Sequence, residues 1–346
     1  MNASLFENMT SLENLFESWY QFRRGKRKKL EVQIFERHLE DNLFQLHEEL
    51  RTFHYRHGPY DFFNVYDPKK RHIGKACVKD RLVHQMMHAT LSQIFDSQFI
   101  FHSLSSRLGK GTHLGLDHLE RMIRRVSANG KKPCFALKMD IKKFFDSIDH
   151  IILKTLLRKK LGDEKVLMLV DLVVDSLKIK KESSRSVGLP LGNVTSQLFA
   201  NIYLHELDHF VKHVLRIKFY LRFCDDFIFI LNSEAISKDL IPIIKGFLKD
   251  HLRLELHPKK VTIRKLSQGI DFVGYIFFAK HRLLRSSTER RMKRRLQTAY
   301  VDYIRGNISD RSMDQRLQSY LGLLSHTNQA TLAQTLKNAY WVRSLD

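Results

Sequence analysis

Asp140 sits in the apolar-flanked run Phe135-Ala-Leu-Lys-Met-Asp140-Ile, and two more acids, Asp225 and Asp226, interrupt Tyr220-Leu-Arg-Phe-Cys-Asp-Asp-Phe-Ile-Phe-Ile. Burying a carboxylate costs several kcal/mol unless a cation or hydrogen bonds compensate it. Three acids planted in apolar segments therefore point to a divalent-metal site. Asp oxygens suit Mg2+, which takes few protein ligands and fills its octahedron with water and substrate phosphates. The chemistry that follows is phosphoryl transfer between two ions, one activating the attacking hydroxyl and one holding the leaving pyrophosphate. Mn2+ is an expected substitute in vitro. Neighbouring strand residues point to opposite faces, so Asp140 and Asp225 are the first choice of ligands. Asp226 joins them only if a tight hairpin turns both acids to one side. On its own, an Asp-Asp pair is equally a turn or a solvated surface feature.

Other residues have types that serve the same reaction. Lys260, in His257-Pro-Lys-Lys260, reads as a general acid or clamp for pyrophosphate, or as a lysine that discourages edge pairing. Phe145, five positions after Asp140, reads as a wall against a ribose 2′-hydroxyl or as ordinary core. Arg71, Lys75 and Arg81 are cations for an incoming triphosphate or a template backbone. The loop Gly188-Leu-Pro-Leu-Gly-Asn-Val-Thr-Ser-Gln197 opens a helix and lets a phosphate or base pair approach its backbone, though helix starts commonly use such residues. The glycine-rich run 107–115 either meets a phosphate or turns a corner, and it lacks the spacing of a nucleotide-hydrolase loop.

The elements that must position these groups alternate. Residues 1 to about 60 read as helices of mixed charge, with a basic run from Arg23 to Lys29 that is a solvated face or an RNA contact. Short extended pieces and turns follow over Asp61–Pro68, then an amphipathic helix through Met86 and Leu91. A strand carries Asp140, and Asp149 or Ser147 caps the next helix. Leu252–Ile263 alternates like a strand edge broken at Pro258, and a strand surrounds Gly274 and Tyr275. From about 281 the chain is basic and helical. His205 and His209 lack the companions of a zinc site.

With 59 Lys and Arg against 37 Asp and Glu in 346 residues, the net charge of +22 draws a polyanion from a distance. The 24 Phe and 11 Tyr give the same surface rings on which bases stack. Three cysteines without zinc-ligand spacing argue for a reducing compartment. No secretory start and no apolar stretch of membrane-spanning length is evident, so the expectation is a cytoplasmic protein without a membrane partner.

The ordered set Asp140-Ile-Lys-Lys-Phe-Phe-Asp146, Gly188–Gln197, Phe223-Cys-Asp-Asp226, His257-Pro-Lys-Lys260 and Phe272-Val-Gly-Tyr275 resembles a bacterial reverse transcriptase. The resemblance covers roughly residues 65–346. It implies an α+β right-hand polymerase with fingers, a ferredoxin-like antiparallel palm and a helical thumb. The corresponding divisions are an N-terminal basic extension over 1–64, interleaved fingers and palm over 65–280, and a thumb over 281–346. It makes Asp140, Asp225 and Asp226 the catalytic acids and Phe145 the sugar-discriminating ring. Arg71, Lys75 and Arg81 match the basic fingers. Phe223 stands where the family usually has Tyr.

Leu191-Gly192 with Ser196-Gln197 is similar to the form found in diversity-generating retroelements, whose enzymes copy a structured RNA with errors at template adenines. The implied partners are that RNA, an RNA–DNA duplex, deoxynucleoside triphosphates and a small basic accessory protein. A retron or phage-defence enzyme is the alternative. From another class comes a catalytically inactive RNA-binding assembly protein, against which the three acids argue.

Overall fold

The computed structural model describes residues 4–66, 69–177, 179–180 and 185–340. Four helices open the chain: α1 (Leu5–Thr10), α2 (Leu12–Phe22), α3 (Leu30–Arg37) and α4 (Leu39–Arg51). Ser4 starts α1 as half of a reciprocal cap: the Glu7 N–H donates to its Oγ while its own N–H donates to the Glu7 carboxylate. Their apolar stripes bury Leu15, Trp19, Leu43 and Leu46 in one core with α5 (Val78–Phe95), against which α2 packs. An exposed antiparallel hairpin intervenes, β1 (Asp61–Val65) and β2 (Arg71–Lys75), with Val65 opposite Arg71. The tip of the expected turn, Asp67 and Pro68, lies outside the described residues.

After α6 (Thr112–Val126) the chain enters β3 (Phe135–Asp140). Then come α7 (Phe144–Ser147), α8 (His150–Arg158), α9 (Glu164–Asp175), the short pair β4 (Ile179–Lys180) and β5 (Ser186–Val187), and α10 (Val194–His209). Asp149 caps α8, accepting from the Ile151 and Ile152 N–H groups, so it rather than Ser147 holds that start. The hairpin β6 (Tyr220–Phe223) and β7 (Asp226–Leu231) leads through α11 (Glu234–Leu252) to β8 (Thr262–Lys265). Together these strands form an antiparallel sheet in the order β6-β7-β3-β8.

The near-continuous apolar run of β7 reflects a strand covered on both faces. Leu137, Met139, Phe227 and Phe229 join one core, which includes residues of α5, α10 and α11. Ala136, Ile228 and Ile230 join a second, shared with α6 and the C-terminal elements. The two-residue period of the sheet sorts the side chains between them. Leu252–Ile263 departs from the expected strand edge. Only Thr262 and Ile263 reach β8, while Leu256 makes a single bridge to Ile141 and a turn closes from the Lys260 N–H to the His257 carbonyl. Proline at 258 cannot donate to a ladder, which accounts for the interruption.

A three-stranded sheet, β9 (Ile270–Phe272), β10 (Tyr275–Phe277) and β11 (Arg282–Leu284), precedes α12 (Ser286–Ile304), α13 (Asp310–Leu324) and α14 (Ala330–Tyr340). Tyr275 is core, as its apolar setting suggests. Met292, Leu296, Met313, Leu317 and Leu336 fill the helical layer. The architecture is the expected α+β right hand: a central antiparallel palm, a basic hairpin above it and a helical thumb.

Candidate active site

Pairing of β3 with β7 places Asp140 directly opposite Asp226. Opposed residues of an antiparallel pair have Cα atoms about 4.5–5.5 Å apart and side chains on one face. β6 and β7 are joined by only Cys224 and Asp225, with Phe223 paired to Asp226. Cys224 takes a φ of 57°, an uncommon conformation for a residue with a Cβ. Asp225 is therefore a turn residue, not a strand residue. The tight hairpin stipulated from the sequence is present, and it removes the objection that neighbouring acids must point apart.

The acids outnumber their cations. Asp140 Oδ1 lies 2.7 Å from the Lys260 ammonium, and Asp226 Oδ2 lies 2.9 Å from that of Lys138. The second oxygen of Asp226 is buried without a partner. Burial raises the pKa of Asp225, and the negative charge of Asp140 adds to the shift. Burial also pushes Asp226 up to about 6, with Lys138 opposing the shift and the other two acids reinforcing it. An orphaned oxygen on Asp226, one of two adjacent acids held above their ordinary range, is a setting that a divalent cation would relieve. Among the described residues, no three His, Cys, Asp or Glu side chains form a metal cage by themselves.

Beneath the turn lies an ion pair that the sequence reading did not single out. The Arg222 guanidinium, with no solvent exposure, donates to Asp208 at 2.9 and 2.6 Å, to Asn201 Oδ1, to Ser103 Oγ and to the Cys224 carbonyl at 3.1 Å. Tyr220 completes the Asp208 carboxylate with a 2.8 Å hydrogen bond. A charge inside the apolar run Tyr220–Phe223 was the available signal. Its partner lies on another element, so spacing alone did not reveal it.

The glycine loop is stitched to two neighbours. Its Leu189 N–H donates to the Phe145 carbonyl at 2.9 Å, which fixes the one-turn helix α7 beside it. At Leu191 the carbonyl accepts from the Gly74 N–H at 2.9 Å, and the Asn193 amide donates back to the Gly74 carbonyl. Gly192 has a φ of 114°, and a Cβ there would come within 2.8 Å of Ile73. Leu191 and Gly192 are thus held against the β1–β2 hairpin, Phe145 lies half-buried on the main core with its ring edge-on to Phe144, and Gln197 is exposed in the first turn of α10.

A model of the reverse transcriptase (RNA-dependent DNA polymerase) family matches residues 66–277. The chain belongs to this family. It is 23% identical to protein YkfC of Escherichia coli, over 69% of this chain and 70% of that protein. It is 25% identical to the group II intron-encoded protein LtrA of Lactococcus lactis, over 60% of this chain but 44% of LtrA. Among solved structures, telomerase from Candida albicans in complex with a fragment of telomeric RNA superposes with a TM-score of 0.51 at 13% identity. That match covers 67% of this chain and 46% of the telomerase chain, and it supports the fold of an RNA-directed DNA polymerase.

Within this reverse transcriptase the expected fingers cations divide. Arg71 is exposed on the hairpin. Lys75 and Arg81 instead converge on one carboxylate, Glu31 of α3, at 2.7 and 2.9 Å, and the Arg81 guanidinium lies over the Phe22 ring. The structure brings these two cations to the N-terminal helices and not to Asp140. A cleft of about 330 Å3 opens beside Asp140 and Asp226, lined by Lys138, Lys260, Arg264 and, from the hairpin side, Lys69. In the glycine-rich run 107–115, Arg107 is consumed internally by Asp96 and the carbonyls of Ile100 and Ser103, which builds a corner. None of the described helices is long and apolar enough to cross a membrane.

Proposed function

We propose that the chain extends a primer along a structured retroelement RNA by two-ion nucleotidyl transfer, making cDNA. The observation that carries this reading is the register of Asp140 against Asp226 with Asp225 at the adjoining turn. Asp140 and Asp225 would hold two Mg2+ ions, with Asp226, steadied by Lys138 on one oxygen, offering the other as a further ligand. When bound, such ions lower the pKa of the attacking 3′-hydroxyl and neutralise the leaving pyrophosphate. Lys260, within reach of Asp140, protonates or clamps that pyrophosphate. Arg71 and Lys69 meet the triphosphate, and Phe145 walls off a ribose 2′-hydroxyl. Lys75 and Arg81 act at one remove, by docking the N-terminal helices on the fingers.

The finer assignment is an error-prone enzyme of the diversity-generating kind. Leu191 offers no amide beside the nascent pair, so geometric selection there rests on shape alone. The working divisions are residues 1–64, 65–280 and 281–346, of which 341–346 lie outside the described residues. The template RNA, the RNA–DNA duplex, deoxynucleoside triphosphates and a small basic accessory protein complete the assembly. The test is sequencing of cDNA made by the purified protein on co-purifying RNA, with Asp225→Ala as the control. Errors concentrated at template adenines support the assignment. Accurate cDNA with fixed ends transfers it to a retron or defence enzyme, and RNA binding without extension overturns the polymerase reading.

A further inference from the structure

A second cavity, of about 370 Å3, lies at the far end of the palm from the acids. Its walls come from three places: the turn at Gly130 that leads into β3, the end of β8, and the tip of the β10–β11 hairpin. The hairpin tip is closed by the Phe278 N–H donating to the His281 carbonyl at 2.8 Å, and the two rings stack at 4.8 Å and 24°. Pro133, Leu266, Phe278 and Ala279 make the interior apolar, while Lys132, Lys265 and Lys280 stand exposed around it. No Asp or Glu lines the cavity. Among the described residues none of these three lysines has a carboxylate partner, unlike Lys138 and Lys260 in the catalytic cleft.

We infer that this cavity binds a single-stranded polynucleotide, with a base against the Phe278 ring and phosphates on the three lysines. Apolar stacking surface within a cationic rim is the chemistry of single-strand binding, and it suits a base better than a wholly charged acidic peptide. β3 spans the distance from the cavity to Asp140, which at about 3.3 Å per residue is roughly 20 Å. A strand anchored there is tethered to the palm outside the catalytic cleft. This inference deepens the polymerase reading by locating where the template RNA or the cDNA is held.

The test uses the full chain carrying Asp225→Ala, so that binding is measured apart from extension. Fluorescence anisotropy of an RNA 20-mer and a DNA 20-mer is followed across salt concentrations. Lys132→Glu/Lys265→Glu/Lys280→Glu, and the milder set with Gln, should flatten the slope of log affinity against log salt by about 2, since each single-strand phosphate contributes about 0.7. Phe278→Ala should weaken binding at least about fivefold. A loss confined to RNA identifies the template, a loss confined to DNA identifies the cDNA, and equal losses identify a site for either strand. Unchanged affinity and slope in all variants, with unchanged Tm, overturns the site. So does polyglutamate that displaces the RNA through these same residues. Extension by the unmutated chain is scored separately, so failure of the polymerase reading and failure of this site are distinguishable.

Discussion

Each carboxylate at the palm turn has a distinct environment, and substitutions should separate them. Asp225→Asn should abolish primer extension while leaving RNA affinity within about twofold, checked by gel extension and filter binding. The pH response follows from Asp226. Its folded pKa of about 6 lies above the ordinary 3.8, so between those values the native chain binds more protons than the unfolded one. With no cation bound, its contribution to stability is complete below pH 3.8 and is lost as pH rises through about 6. Urea denaturation of wild type and Asp226→Asn across that window checks the sign, because the amide should remove this part of the dependence. Phe145→Ala should raise ribonucleotide incorporation, and unchanged discrimination would return Phe145 to the core.

The acids were legible in the sequence because charge inside an apolar run needs a reason. Arg222 meets the same criterion, but its role depends on Asp208 in another element, which spacing does not show. Replacing Arg222 by Met leaves Asp208 buried and unpaired, and should cost about 3–5 kcal/mol in denaturant unfolding.

Among the elements, strands and helices with strong periodicity were readable, and so was their order. Less readable was what the elements do to one another. Lys75 and Arg81 carry the charge that a triphosphate requires, and sequence alone gave no sign that Glu31 of α3, far away in the chain, takes both. Glu31→Ala should therefore loosen the N-terminal helices, with a fall in Tm corresponding to about 1 kcal/mol or less for such partly exposed pairs. Limited proteolysis should then cut first between α2 and α3. Leu252–Ile263 shows the opposite error. Its alternation is real, but Pro258 and the bridge to Ile141 turn most of it into a loop that carries Lys260 to Asp140. Leu191→Gln, in the loop bonded to Gly74, should lower misincorporation opposite template adenine in sequenced cDNA if that residue sets fidelity.

Across the whole molecule, the charge of +22 predicts long-range attraction to RNA that salt weakens. Should six to ten phosphates be engaged, affinity for a duplex should fall by about 10³-fold or more between 50 and 200 mM salt, as filter binding would register. The right-hand architecture was legible because its motifs occur in a fixed order along the chain. Which cations face the cleft and which are spent on ion pairs was settled only by tertiary contacts.

The hydrogen bonds of Arg222 reach Ser103 in a connection, Asn201 and Asp208 on α10, and the carbonyl of Cys224 in the turn itself. Three stretches of chain, one of them 119 positions before Arg222 and another only 14, therefore meet beneath the turn that carries Asp225. Packing around Arg222 thereby sets the bearing of the turn that carries Asp225.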